Sequence, residues 1–237
     1  IPSFDVKEEA SLSLNKLKGF AKHPIRFYFN EILGVYLDYE KQDEEFYFSP
    51  LIETLFLSRK SSSFKEGIDK ASLYGKLPLG PFKHIAEKKL MQKSLDIEKG
   101  LKEFEIQTLF SVPISLNIPL ISGGEMLIEG VIENVSSKGL VCIGSSKELL
   151  KIWPEFLAFC LAKEEGVKEL LFLEDGKTFS IKNPQKALSL YLDYFQTSQA
   201  VPSPLLPSWG DIFFKKSEKE LKKAVSQKIK MGKDPYI

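Results

Sequence analysis

Cysteine and histidine are scarce in this chain, with two of each among 237 residues. Cys142 and Cys160 both stand in apolar runs, Leu140-Val141-Cys142-Ile143 and Phe159-Cys160-Leu161. Two cysteines so spaced, with only His23 and His84 to join them, form no zinc or cluster pattern. They read as buried free thiols, which suits a reducing cytoplasm. No apolar run approaches the ~18 residues of a membrane span, and no basic start leads into an apolar core as in a secretory leader. An excess of one charge is also lacking. The 33 Lys and Arg against 32 Asp and Glu leave a formal net charge of +1. Strong attraction of the whole chain to nucleic acid is thereby excluded, and any such binding must come from a local patch. No cofactor, no metal and no membrane partner is expected. The chain opens at Ile1-Pro2 and closes at Asp234-Pro235-Tyr236-Ile237; both ends read as cuts in a longer protein.

What the sequence does have is apolar and aromatic content. The hydrophobic fraction is 43% and there are 18 Phe, a globular composition. Residues 11–33 read as helix, with Leu14, Leu17, Phe20 and Ala21 on one stripe, an interruption at Pro24, and a second stripe of Ile25, Phe29 and Leu33 before Gly34. The segment 38–60 turns from acidic to apolar, with a helix from Ser49-Pro50 carrying Leu51, Leu55 and Phe56. A break at 61–63, a helix over 65–73, a turn over 75–81 and a charged helix over 82–102 follow.

From 104 the composition shifts. Strands are expected at 110–116, 126–135 and 139–143, with turns at Gly123-Gly124 and 136–138. An apolar helix over 147–162 contains Pro154, which implies a kink or a late start. Strands 168–173 and 177–181 flank Asp175-Gly176, a type I′ hairpin signal, and Asn183-Pro184 reads as the cap of another helix. The proline-rich stretch 201–207 and a lysine-rich helix over 217–231 end the chain. This order predicts an α/β (α+β) domain with a central mixed β-sheet flanked by helices. The parts are a mainly helical stretch over 1–103 and a sheet core with C-terminal helices over 104–237, within one domain spanning 1–237.

The strongest local pattern is Ile128-Glu129-Gly130-Val131-Ile132-Glu133-Asn134-Val135, then Gly139-Leu140-Val141-Cys142-Ile143-Gly144-Ser145-Ser146-Lys147. Strand, turn, strand and helix are what a divalent-metal nuclease hairpin needs. The first strand of such a hairpin ends in a carboxylate; the second carries another and, two residues on, a lysine. Paired carboxylates suit Mg²⁺, which takes hard oxygen ligands, and the lysine serves the attacking water. Glu133 fills the first place. The second falls near Gly144 and the lysine place near Ser146, so neither holds the required group. No catalytic or metal residue is therefore expected, and Glu133, Gly144 and Ser146 read as degenerate positions of a structural hairpin.

A second pattern runs from Lys16 to Phe29. Phe20, His23-Pro24-Ile25-Arg26-Phe27-Tyr28-Phe29 and Leu33-Gly34 resemble the opening of the exodeoxyribonuclease V gamma subunit family. So do Gly75-Lys76-Leu77-Pro78-Leu79-Gly80, the hairpin of Gly130 and Gly139-Leu140-Val141, Trp153-Pro154-Glu155-Phe156-Leu157-Ala158-Phe159, Pro204-Leu205-Leu206-Pro207-Ser208 and Asp234-Pro235-Tyr236. In that nuclease superfamily the iron–sulfur members carry a cysteine where this chain has His23; without a cysteine trio near the C-terminus, a cluster is excluded. The resemblance is to the family's C-terminal domain. It implies a PD-(D/E)XK nuclease-like fold lacking the active site, with no activity of its own. The implied role is a scaffold that guides double-stranded DNA ends in a helicase–nuclease for double-strand break repair and recombination. The implied partners are the helicase–nuclease beta subunit and the helicase alpha subunit.

Candidate DNA contacts are Arg26 and, in the tail, Lys215, Lys216, Lys222 and Lys223. Between 215 and 233 eight lysines face only Glu218 and Glu220, a local charge that attracts phosphates. The same lysines also fit a solvated amphipathic helix with Leu221, Val225 and Ile229 inward. Two alternatives stand beside the leading expectation. One is an active Mg²⁺-dependent nuclease domain. The other is a protein–protein adaptor without DNA contact, for which 202–207 and 38–48 are candidate surfaces.

Overall fold

The computed structural model describes residues 11–36, 73, 80–163 and 166–201. The chain divides into two compact units, one of Ile1–Tyr36 with Ile106–Ile237, the other of Leu37–Glu105. In the second unit the described element is a helix, Pro81–Glu103, with Pro81 at its first position and Gly80 before it at φ +66°. That left-handed φ is open to glycine, and proline tolerates the first turn because its missing N–H has no helical partner there. The predicted elements over 38–73 and 202–231 lie outside the described residues, apart from Leu73.

The first unit is built on a mixed six-stranded sheet. The chain enters as β1 (Ser11–Ser13), then α1 (Leu14–Lys22), α2 (Pro24–Phe27) and a π-helical turn, Tyr28–Ile32. We number the Pro81–Glu103 helix α3. After it come β2 (Phe110–Pro119), β3 (Glu125–Ser136), β4 (Gly139–Cys142), a 3₁₀ turn (Ser146–Glu148), α4 (Leu149–Ala162), β5 (Glu169–Phe172), β6 (Lys177–Ser180) and α5 (Pro184–Ala200). Strand β3 is the hub. It pairs antiparallel with β2 along its length, parallel with β1 at 127–129, and antiparallel with β4 at 135–136. Since β2 occupies one edge of β3, β1 and β4 share the other. The parallel β4–β5 pair requires a crossover, which α4 provides, and β6 closes the sheet antiparallel to β5.

Helices α1, α4 and α5 pack on one face of the sheet and on each other. Leu14, Leu17, Phe20 and Ala21 of α1 are buried as their spacing predicts. Leu14, Leu17 and Phe20 share one core with Phe156, Leu157 and Phe159 of α4, Leu188, Leu192 and Phe195 of α5, and the inward residues Ile114, Ile118, Ile128 and Ile132 of the sheet. Phe20 is the hinge of an aromatic cluster, with ring centres 5.6 Å from Phe27 and 5.1 Å from Phe195, both edge-on. Such edge-to-face pairs add about 0.5–1.5 kcal/mol each beyond area burial.

Two expectations are corrected. Residues 11–13 are a strand rather than the start of the first helix, because Ser13 Oγ accepts a hydrogen bond from the Lys16 N–H at 3.2 Å and so caps α1 at Leu14. The turn between β5 and β6 spans four residues and is not type I′. Leu173 is buried, and its N–H donates to the Cys142 carbonyl at 2.9 Å. That bond holds Leu173 to β4 and leaves Gly176, at φ +62°, to make the left-handed step. The apolar helix α4 starts at Leu149 and runs through Pro154.

Candidate functional site

The hairpin that carries the candidate positions lies where β3 hands over to β4. Its geometry begins at two glycines. A Cβ at Gly130 would sit 2.7 Å from the Cβ of Leu14, so only glycine lets the β1–α1 corner cross β3. A Cβ at Gly139 would strike the Glu169 carbonyl of β5. Between them the β2–β3 register slips, since Phe110 pairs Val135 while Val112 pairs Ile132. One extra residue on β3 therefore bulges at 133–134, and Asn134 takes it up at φ +56°, a conformation asparagine tolerates better than most residues. The bulge leaves Glu133 exposed while Ile132 and Val135 both point into the core. Ser136 then closes the hairpin: its buried hydroxyl donates to the Gly139 carbonyl at 2.9 Å and accepts from the Gly139 N–H at 3.2 Å.

Gly144, at the second position, follows β4. A Cβ there would strike the Glu148 carboxylate, which in turn takes a hydrogen bond and ion pair from Lys151 at 2.8 Å. Ser146, at the lysine position, donates from its hydroxyl at 2.6 Å and from its N–H at 3.2 Å to Asp175 Oδ2. Lys177 joins the pair, 3.1 Å from both the Ser146 hydroxyl and the Asp175 carboxylate. Asp175 is thus a cap supplied across space by the β5–β6 turn to the start of the 3₁₀–α4 segment. Partial burial raises its pKa, but the Ser146 and Lys177 hydrogen bonds prevail and hold the carboxyl below its ordinary value.

Glu155 was not singled out as a site residue, although it is the one charged side chain in the apolar run 152–162. It is 5% exposed and pairs with Lys18 of α1 at 2.8 Å. The thiol of Cys142, beside this region, is pushed up to about 11, chiefly by desolvation; Glu148, Glu155 and Glu174 add to the rise. Glu133 is not among the carboxylates that act there. Gly144 thus faces Glu148 and Ser146 binds Asp175, and among the described residues no group of three or more His, Cys, Asp or Glu could hold a metal ion. Cys142 and Cys160 are free and buried.

Of the candidate DNA contacts, Arg26 is exposed on α2. His23 ends α1 and caps α2, its Nδ1 accepting from the Arg26 N–H at 3.1 Å. Lys215, Lys216, Lys222 and Lys223 lie outside the described residues. A further device that sequence reasoning missed is Asp193 of α5. It takes hydrogen bonds from the N–H of Ile121 at 3.1 Å and from the N–H and hydroxyl of Ser122 at 3.4 and 3.0 Å, fixing the β2–β3 turn. No helix among the described residues is long and apolar enough to cross a membrane.

A family model described as the RecC C-terminal domain matches residues 9–211. The chain is also similar to a protein of Buchnera aphidicola subsp. Schizaphis graminum described as RecBCD enzyme subunit RecC. The identity is 23% over 253 residues, covering 98% of this chain. The chain spans 23% of that relative's length.

Proposed function

The chain belongs to the RecC C-terminal domain family, and on that premise we propose that it is the non-catalytic scaffold and DNA-guiding domain of a RecC subunit. In this reading its fold is a PD-(D/E)XK nuclease-like one that has lost its chemistry. It works inside a RecBCD-type helicase–nuclease, against the beta and alpha subunits, on double-stranded DNA ends in break repair and recombination. The whole chain forms a single domain of that subunit, with 37–105 inserted in it. Arg26 and the lysines Lys215, Lys216, Lys222 and Lys223 are its DNA contacts.

One observation carries the non-catalytic part. At Gly144, where a second metal-binding carboxylate belongs, the nearest carboxylate is Glu148, already neutralised by Lys151 at 2.8 Å. One carboxylate at Glu133 is a poor set for an ion that demands near-octahedral oxygen ligation. The test is cleavage of linear duplex DNA by the chain with Mg²⁺, beside Glu133→Ala. Both should stay at background. Robust metal-dependent cutting that Glu133→Ala abolishes would overturn the reading. The adaptor alternative is separated by binding to forked DNA, which the scaffold reading expects to weaken steeply with salt.

A further inference from the structure

We propose that the outward face of α3 is a self-complementary seam on which a second copy of this chain docks its own α3, antiparallel and about a two-fold axis. The pairing uses the second unit alone and stands whether or not the first unit guides DNA.

Six residues set the seam. His84, Lys88, Met91, Leu95, Glu98 and Lys102 follow one another along α3 in alternating steps of four and three. That is the 3.5-residue period that keeps one line of side chains turned toward a partner helix. All six are exposed, while Ala86, Gly100 and Leu101 on the opposite side of the helix are buried. The two apolar members are one turn apart and therefore neighbours on the surface; Met91 is 54% exposed and Leu95 50%. A single exposed methionine or leucine needs no explanation. The order of the charges around this pair does.

A second α3 can be laid antiparallel on the first with Met91 against Leu95 of the copy. That one choice puts the two-fold axis at position 93 and fixes every other layer. Lys88 then faces Glu98 of the copy, and Glu98 faces its Lys88. The charges played no part in choosing the axis, and they match. The outermost layer sets His84 against Lys102, with the Glu87 carboxylate beside it, 3.3 Å from His84 Nδ1. A parallel pairing would stack Lys88 on Lys88 and Glu98 on Glu98, so the charges select the antiparallel one by repulsion as well as attraction. Because the same patch serves both copies, the contact closes on itself and stops at two.

The contact is small. From His84 to Lys102 the helix runs about 27 Å, and its apolar layers are the two Met91–Leu95 pairs at the centre. Such an area falls below the ~1,600 Å² of a lasting interface, so the copies meet and part. A weak contact of this kind acts where two copies are already held near each other, because tethering raises their effective concentration. In the function proposed above, the two ends of one broken duplex would hold them so.

The test uses the full-length subunit. Sedimentation velocity over a range of concentrations should show a reversible dimer. Lys88→Glu and Glu98→Lys should each weaken it roughly tenfold, since two-fold symmetry makes every reversal count twice. The two changes combined should restore it, because both copies then exchange their charges. Met91→Cys mixed with Leu95→Cys should form an intermolecular disulfide under a mild oxidant faster than either variant alone. Thermal midpoints of the charge variants should match wild type, as the altered groups are exposed. A subunit that stays monomeric at every concentration, or a double variant that fails to recover what the single ones lost, overturns the proposal. So does a monomer in which Met91→Cys resists a thiol reagent, for then another part of the same chain covers the seam. Charge variants that lose a partner subunit rather than self-association would give the face to a different protein, and overturn it likewise.

Discussion

Removing the Lys18 ammonium should destabilise the chain far more than removing the Glu155 charge, although the two form one ion pair. Glu155 is 5% exposed and sits in α4 among Pro154, Phe156 and Leu157. Its carboxylate accepts a hydrogen bond from the Lys18 ammonium at 2.8 Å. The side chains are 22% and 7% exposed respectively, so the lysine can reach water and the carboxylate cannot. Lys18→Met keeps the aliphatic stem but strands a carboxylate in the helix interface. Breaking a buried pair this way costs about 3–5 kcal/mol; discounting for the solvent that reaches the lysine end leaves about 2–3 kcal/mol. For a chain of this size that is a fall of roughly 5–10 °C in the thermal midpoint. Glu155→Gln leaves an amide that can still accept one hydrogen bond, while Lys18 turns outward, so its cost should stay near 1 kcal/mol. Lys18→Met with Glu155→Leu should recover most of the loss, because replacing both charges by apolar groups removes the stranded one. Thermal and urea unfolding of the three variants measure this. Should Lys18→Met fall within about 0.5 kcal/mol of wild type, or prove milder than Glu155→Gln, the argument from asymmetric burial is wrong.

Three further outcomes are expected. Asp175 has its folded pKa depressed below 3.8, so its contribution is fully present above that value and lost as pH falls through the folded pKa. The gap in thermal midpoint between wild type and Asp175→Asn should therefore be constant near neutrality and close only in strong acid; a gap that widens on acidification contradicts the sign. Burial pushes both Cys142 and Cys160 up to about 11, so a thiol-specific reagent near pH 8 should label neither in the folded chain and both in denaturant. Rapid labelling of either in the native state would show that its cover is wrong. Gly130→Ala, forced 2.7 Å from Leu14 Cβ, should cost about 1–3 kcal/mol by displacing the β1–α1 corner, read as a shifted urea midpoint; a neutral substitution would mean the corner yields freely.

What the sequence disclosed and what it hid divide along a physical line. Signals confined to a few neighbouring residues were legible. Asn183-Pro184 caps α5 as read, with Asn183 Oδ1 accepting from the Lys186 N–H at 3.1 Å. The α1 stripe buries the residues its spacing nominates, and the double glycine at 123–124 turns the β2–β3 hairpin, both at positive φ. Features set by residues distant in sequence were not. Strand β1 exists because 127–129 offer it an edge, and three residues carry too little pattern to separate a strand from a helix start. Leu173 looked like a strand end, and only the Cys142 carbonyl makes it part of the turn. At the candidate site, the sequence supplied the expectation that Glu133, Gly144 and Ser146 are degenerate positions, and no more than that. The bulge at 133–134, the Glu148–Lys151 pair over Gly144 and the Asp175 cap on Ser146 join residues from separate elements, so no local motif announces them.

The parallel pairing of β1 with the middle of β3 has a temporal meaning. Leu12 finds its partner Ile128 only after roughly a hundred further residues have left the ribosome, and until then the apolar side of α1 has no sheet to cover it. An inserted stretch between them, however long, adds only logarithmically to the entropy of bringing the two strands together. Added length in the 37–105 stretch therefore contributes little to the closure entropy of β1 on β3. A cut within 14–36 would instead detach a strand and a helix that the rest of the sheet is waiting for.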